Sequence, residues 1–144
     1  MKQSKRLEPI CDFNKRREND AAKSLAKISQ EVAAQKQRLE DLENYRGEYG
    51  KQFAMAGGAG LNAVKMREYQ NFMANLSKVV EQQKSAISIL ENEFEDKKRQ
   101  WLAARGRTKA LETVKERYQH KETMIEEKQM QKEIDDLSCR NVKR

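Results

Sequence analysis

Proline, glycine, cysteine and aromatic residues are all scarce in this chain. Its 144 residues include one proline, six glycines and two cysteines, and aromatic side chains make up 6%. Charged residues make up 37%, and the mean hydropathy is -1.06. No apolar run approaches the roughly 20 residues that cross a bilayer. Such a chain lacks the apolar surface for a layered globular core.

Signatures of catalysis are also missing. The glycine-rich stretch at 57–60 has no following Lys-Ser/Thr pair and no preceding strand, so it does not resemble a phosphate-binding loop. It is typical of a turn between helices. The many carboxylates fall on polar helix faces, where no cleft is expected to make them catalytic. We therefore expect no enzyme activity, no small-molecule substrate and no cofactor.

A disulfide and a metal site are not expected either. In a helical hairpin that turns near Gly58, Cys11 and Cys139 lie about 50 Å apart. A disulfide needs Cα atoms within about 7 Å, and the single histidine, His120, lacks the further ligands of a metal site. The first residues carry no apolar run typical of a targeting segment. These features predict a soluble, cytoplasmic protein with reduced thiols.

The apolar residues that are present recur with strict spacings of three and four. One such stripe, called a seam below, comprises Ala21, Leu25, Ile28, Val32, Gln35, Leu39, Leu42, Arg46, Tyr49 and Phe53. The second seam comprises Tyr69, Met73, Leu76, Val80, Gln83, Ile87, Leu90, Phe94, Lys97, Trp101, Ala104, Thr108, Leu111, Lys115, Tyr118, Glu122 and Ile125. This spacing is typical of a coiled coil, because it keeps one row of side chains facing a partner helix. Two seams separated by a glycine-rich stretch predict an all-α fold, a long antiparallel two-helix coiled-coil hairpin.

The predicted hairpin is a single coiled-coil domain covering residues 1–144. Helix one is expected over about 9–56, because Pro9 suits a helix first turn. The glycine-rich turn covers 57–61, helix two covers about 62–138 with Asn62 as its N-cap, and 139–144 form a tail. Beyond about residue 110, helix two has no facing partner and forms a C-terminal helical overhang. Its charges and regularly spaced apolar residues indicate a helix that either frays or awaits another protein.

Three apolar residues lie one step off the seams, near the predicted turn: Tyr45, Phe72 and Val79. A turn near Gly58 makes Tyr45 face Phe72. A side chain one step off the seam points to the flank of the hairpin, so these residues would form an exposed patch. The seam residues beneath this patch are Leu42, Tyr49 and Leu76. A register shifted by one residue would instead make Tyr45, Phe72 and Val79 ordinary core residues.

The net charge of +7 favours an acidic partner. Helix two contains a basic stretch without acidic residues, and further basic residues of helix one lie across from it. The members of this basic collar are Lys15, Arg16, Arg17, Lys97, Lys98, Arg99, Arg105, Arg107 and Lys109. The collar is either a solvated face or a site for acidic protein loops or nucleic-acid phosphates. Trp101 is expected to face Arg16 and to pack under basic side chains rather than to stack on bases.

Two distinctive blocks flank the predicted turn: residues 42–49 (LENYRGEY) before it and residues 69–76 (YQNFMANL) after it. These blocks resemble the FliJ family of flagellar export proteins. The lone Trp101 ahead of a basic run and the ending 131–137 (QKEIDDL) fit the same pattern. The resemblance covers roughly residues 10 to 140.

The resemblance implies a non-enzymatic, shaft-like component of the flagellar type III protein export apparatus. Such proteins sit in the hexameric ring of the export ATPase, promote its assembly or activity, contact the export-gate membrane protein and assist export chaperone cycling. The implied export-gate contact comprises Arg38, Leu42, Tyr45, Tyr49, Phe72, Leu76, Val79 and Gln83. The implied contact with the ATPase ring, or with another acidic partner, is the basic collar. The protein would be cytoplasmic, and peripheral at the inner membrane through its partners.

Three other functions fit the same pattern. The chain could be the stalk of a virulence type III secretion system, which has the same architecture and different partners. It could be a basic coiled coil that binds nucleic acid with a steep dependence on salt, although nucleic acid is not the partner we expect. It could also be a dimeric coiled-coil scaffold, which sedimentation distinguishes from a monomeric hairpin.

Overall fold

Two helices account for almost all of the described chain. The computed structural model describes residues 2–57 and 62–142, which contain α1, Gln3–Gly57, and α2, Ala63–Val142, and no strand. The helices pack against each other in opposite directions, since Ser4 near the start of α1 contacts Glu122 late in α2. The predicted all-α, antiparallel two-helix coiled-coil hairpin is confirmed.

The predicted seams form the interface between the helices. Every seam residue from Ala21 to Phe53 in α1 is buried or half-buried. The same holds in α2 from Tyr69 to Glu122, and Val80 is completely buried. Only Ile125, the last predicted member, is 64% exposed. The scarce apolar residues thus suffice because the fold needs a single narrow row of them on each helix.

The seam of α1 extends further toward the N-terminus than its apolar residues indicate. Ser4 is buried, and Leu7, Cys11, Asn14 and Glu18 are half-buried at the same three- and four-residue spacing. Most of these side chains are polar, so hydrophobic periodicity does not detect them. The structure therefore adds five positions to the predicted seam.

Heptad letters identify which flank of the seam a residue occupies. Seam positions are a and d, so that Ser4 and Leu7 begin the α1 repeat as a and d, and Tyr69 and Met73 begin the α2 repeat as d and a. Residues directly after a d position form the e flank. Residues directly before an a position form the g flank, on the other side of the seam.

The chain divides into two units, each made of a piece of α1 and a piece of α2. The terminal unit comprises Met1–Ala22 and Gln100–Arg144, and the central unit comprises Lys23–Arg99. Each unit has its own contacts between the helices, such as Asn14 with Thr108 in the terminal unit. The single domain predicted from the sequence stays a prediction.

The helix ends differ from the predicted ones in three places. α1 begins at Gln3 and continues through Pro9, rather than beginning there. α2 continues to Val142, so most of the predicted tail at 139–144 is helical. Gly57 is the last residue of α1, and the rest of the predicted turn, 58–61, lies outside the described residues. The predicted N-cap is confirmed, because the Asn62 side chain accepts a hydrogen bond of 2.9 Å from the Lys65 N–H.

The predicted register is wrong in the terminal unit. A turn near Gly58 would place Asn14 opposite about residue 103, but its carbonyl accepts a hydrogen bond of 3.3 Å from the Thr108 hydroxyl. Antiparallel coiled coils pair a positions with d positions, which permits only registers that differ by seven residues. An axis at Gly58 falls between two permitted registers. Because α1 ends at Gly57 and α2 begins at Ala63, the hairpin is centred beyond Gly58. The helices therefore pair in a permitted register that differs from the predicted one.

The C-terminal overhang is shorter than predicted. Ser4 of α1 contacts Glu122, and Lys2, just before α1, forms an ion pair with Glu126, so α2 still has partners well beyond residue 110. From residue 127 to residue 142 every side chain is exposed. Cys139 lies in this segment as a free thiol, and Cys11 is a free, half-buried thiol. Over the described residues, neither helix contains a stretch long and apolar enough to cross a membrane.

Candidate functional site

Ion pairs join the two helices along the e flank of the central unit. The Lys36 ammonium lies 3.1 Å from the Glu91 carboxylate, and the Lys84 ammonium lies 3.9 Å from the Glu43 carboxylate. All four residues occupy e positions. Exposed ion pairs of this kind stabilise a fold by at most about 1 kcal/mol each. Their larger effect is that the charges on this flank neutralise one another and leave it without a strong preference for a charged partner.

The g flank of the central unit has a different character. Tyr45 and Val79 both occupy g positions and are 50% and 41% exposed. Phe72, also at a g position, is half-buried, and its ring centroid lies 6.2 Å from that of Tyr45 in an edge-on arrangement. The predicted contact between Tyr45 and Phe72 is therefore present. Arg38 lies on the same flank and is exposed.

A cluster of aromatic rings supports this exposed patch from below. The Tyr49 ring lies 4.4 Å from Phe72 and stacks on Tyr69 at 5.7 Å, centroid to centroid. Phe53 also stacks on Tyr69, with the ring centroids 3.6 Å apart. Gly50 faces the Tyr69 hydroxyl, so that a Cβ at that position would lie 3.6 Å from it. Sequence reasoning placed Phe53 and Tyr69 in the seams but did not connect them to the patch; stacking between the two seams is a three-dimensional relationship.

The other residues of the implied gate contact lie deeper. Leu42 is half-buried, and Leu76 is 8% exposed. The Gln83 amide donates to both the carbonyl and the side-chain oxygen of Gln35, at 3.0 Å and 2.7 Å, so this amide is engaged within the seam. A partner that approaches the g flank therefore meets the exposed side chains of Arg38, Tyr45 and Val79 first.

Two arginines of the basic collar border a groove in the terminal unit. Arg17 and Arg107 occupy g positions on α1 and α2, and both side chains are exposed. The groove between them has a volume of about 340 Å³. Its remaining lining residues are Asn14, Ala21, Gln100, Ala103 and Ala104. Small alanine side chains at the base leave room between the helices for a group from another molecule.

The other collar residues of the terminal unit are arranged differently. Lys15 lies on the e flank, 3.9 Å from Glu112. The Arg105 guanidinium lies over the ring of Trp101, 5.4 Å from its centroid. Trp101 thus packs under a basic side chain as expected. The partner is Arg105, one turn later on α2. It is not Arg16, because the observed register differs from the predicted one. The remaining members, Arg16 and Lys109, are exposed.

Three collar residues belong to the central unit. Lys97 is half-buried at a d position of the seam, and Lys98 is exposed. Arg99 lies 3.4 Å from Asp96, one turn earlier on the same helix. In the central unit, therefore, the collar is partly neutralised and partly drawn into the seam.

The start of α1 is fixed by an acidic residue of α2. The Glu122 carboxylate accepts hydrogen bonds from the Ser4 hydroxyl at 2.7 Å and from the Ser4 N–H at 3.2 Å. The hydroxyl bond, followed by the backbone bond, holds the pKa of Glu122 below its ordinary value. The neighbouring ion pair with Glu126 raises the pKa of Lys2. These contacts hold the first turns of α1 against α2.

These features define the class of protein: a two-helix coiled coil with an exposed flank on each side of its seam. The family model described as "Flagellar FliJ protein" matches residues 3–144. The chain belongs to the FliJ family.

Two curated relatives agree with this assignment. The flagellar FliJ protein of Salmonella typhi is 24% identical over 140 residues, which cover 97% of this chain and 95% of the relative. That of Escherichia coli (strain K12) is 22% identical over 134 residues, covering 93% of this chain and 91% of the relative. No solved structure matches the chain significantly.

The family assignment settles the broad function. The chain is a component of the flagellar protein export apparatus and acts in flagellum biogenesis. Because members of the family are non-enzymatic export components, it is not an enzyme. The flagellar interpretation is thereby favoured over a virulence-system stalk, a nucleic-acid-binding protein or a generic scaffold.

Proposed function

We propose that this protein is a shaft-like coupling component that links the export ATPase to the export gate. The observation that carries the proposal is the difference between the two flanks of the hairpin in a chain of this family. On the e flank of the central unit charged side chains form ion pairs with one another, whereas the apolar side chains Tyr45 and Val79 are exposed on its g flank. Exposed aromatic and aliphatic side chains on one side of a charged helix pair are typical of a protein contact.

In this proposal the terminal unit docks in the ring of the export ATPase and promotes its assembly or activity. The exposed basic residues Arg16, Arg17, Arg107 and Lys109 support this role, because they favour an acidic partner surface. Lys15 already has an acidic partner in Glu112 and would contribute less.

The central unit contacts the cytoplasmic region of the export-gate membrane protein. Arg38, Tyr45 and Val79 supply the exposed part of that contact, and Phe72 supports it. The protein also assists export chaperone cycling. It works in the cytoplasm and reaches the inner membrane only through these partners.

The rate of ATP hydrolysis by the cognate export ATPase tests the proposal. Purified protein is titrated into the ATPase at physiological salt, and the expected result is a saturable rise at a ratio below one protein per ATPase subunit. Such a ratio is expected if one hairpin serves a whole ring. An unchanged rate, with an ATPase that is active and forms rings, would contradict docking in the ring.

A further inference from the structure

The groove of the terminal unit combines positive charge with space at its base. Arg17 and Arg107 border it from the two helices, and Asn14 and Gln100 add side-chain amides. Amide and guanidinium N–H groups donate hydrogen bonds, so the groove offers several donors to one acceptor group. Guanidinium groups match a carboxylate well, because each can donate two parallel hydrogen bonds to its two oxygens.

Both arginines are available to such a ligand. The Arg17 guanidinium lies over the ring of Phe13, 5.5 Å from its centroid, which restricts its position and leaves its in-plane N–H groups accessible. Among residues 2–57 and 62–142, no carboxylate forms an ion pair with Arg17 or with Arg107. By contrast, Lys15 on the e flank of the same unit is paired with Glu112.

We infer that this groove binds an acidic side chain, aspartate or glutamate, presented by a loop of a partner protein. The inference deepens the proposed docking in the ATPase ring and rests on it for the identity of the partner. Arg17 and Arg107 hold the carboxylate from opposite sides, and Ala103 and Ala104 leave the space for its stem. Arg16 and Lys109 contribute only general attraction.

The surroundings of the groove favour a protein over a nucleic acid. The neighbouring g positions in the terminal unit are Ile10 on α1 and Val114 on α2, and these are 47% and 36% exposed. A nucleic-acid strand needs a continued row of cations along its phosphates. A protein loop needs a charged contact beside apolar ones, which is the arrangement found here.

Two double variants with the same change in net charge test the inference. Arg17→Glu with Arg107→Glu reverses the charge of the groove. Arg6→Glu with Arg117→Glu is the matched control, on exposed residues of the same unit that lie outside the basic collar. Each is titrated into the export ATPase, and the concentration for half-maximal stimulation is compared with wild type. The groove variant should raise it by about 30-fold or more, and the control by less than about 3-fold. Circular dichroism checks that both variants remain helical.

The other outcomes separate the groove from the docking proposal. Equal losses in the two variants would overturn the groove and leave docking by diffuse charge intact. If wild-type protein does not stimulate the ATPase, the docking proposal fails. Direct binding of a fluorescent twelve-residue polyglutamate peptide then tests whether the groove binds acidic side chains. Peptide binding that is retained in the control variant and lost in the groove variant supports the inference. Binding of single-stranded DNA with that same dependence, and no peptide binding, would overturn it in favour of a phosphate site.

Discussion

Glu122 of α2 caps the first turn of α1 through Ser4. The first N–H groups of a helix have no partners within it, and the partial positive charge there favours an anion. The first turn of α1 contains no acidic residue, and the Glu122 carboxylate supplies the negative charge from the other helix. The contact offsets part of the cost of Pro9, which interrupts α1 only six residues beyond Gln3. A proline inside a helix lacks an N–H and costs about 3 kcal/mol.

Replacing Glu122 should therefore fray α1 back to Pro9. In Glu122→Ala, residues 3–8 lose their cap and remain attached mainly through Lys2 and through Glu8, which lies 4.0 Å from Lys115. Hydrogen exchange of the amides that precede Pro9 should accelerate by about tenfold, corresponding to a lost hydrogen bond to a charged group. Glu127→Ala, an exposed position nearby, should leave the exchange unchanged. Unaltered exchange in Glu122→Ala would show that the cap does not hold the segment.

The ionisation of Glu122 gives a second, independent readout. Its pKa is lowered in the folded protein, mainly by the Ser4 hydroxyl, so the contact stabilises the fold above the ordinary pKa of a glutamate. That stabilisation is lost as the pH falls through the lowered value. In Ser4→Ala, the pKa of Glu122 measured by NMR should rise toward its ordinary value. Ser138→Ala, in the exposed end of α2, is the control and should not move it.

The proposed gate contact can be tested without disturbing the aromatic cluster. Phe72 packs on Tyr49, so its truncation would affect the fold as well as the surface. Tyr45→Ala with Val79→Ala removes two exposed side chains instead, and should weaken binding to the cytoplasmic region of the export gate by at least about tenfold. Isothermal titration calorimetry measures this affinity. The matched control is Ile89→Ala, which truncates an apolar residue that is 63% exposed in the same unit. Equal affinity for wild type and the double variant would exclude this surface.

Two helical glycines lower the stability of the hairpin without an evident packing role. A Cβ at Gly47 or at Gly106 would meet nothing within 4 Å. Gly47→Ala and Gly106→Ala should each raise the free energy of unfolding by about 0.5–1 kcal/mol, because alanine loses less backbone entropy in a helix. Urea denaturation measures the gain. The reverse change at an exposed helical position, Ala110→Gly, should lower the free energy of unfolding by a similar amount.

The fold was largely accessible from the sequence, because the seam residues recur so regularly. From Ala21 to Phe53 and from Tyr69 to Glu122, the predicted seams match the buried positions. The sequence also restricted the register, since only seven-residue shifts pair a with d positions. A hairpin centred on Gly58 does not satisfy that restriction, and the register predicted from it is therefore wrong.

Other features could not be inferred from periodicity alone. Ser4 looks like an exposed residue in the sequence, and only its contact with Glu122 makes it a buried one. Pro9 marked a helix start by local preference, but tertiary contacts extend α1 past it to Gln3. The groove beside Arg17 depends on the small residues of the facing helix, and therefore on the correct register.

The unequal flanks of the terminal unit have a consequence for assembly. Lys15 and Glu112 pair on one side of its seam, while Arg17 and Arg107 are left for a ligand on the other. A ring of identical subunits offers the same surface several times around its axis. A single ligand with one binding side can engage only one of those copies at a time. Docking would thus distinguish one ATPase subunit from its neighbours, and equivalent subunits would become inequivalent on binding.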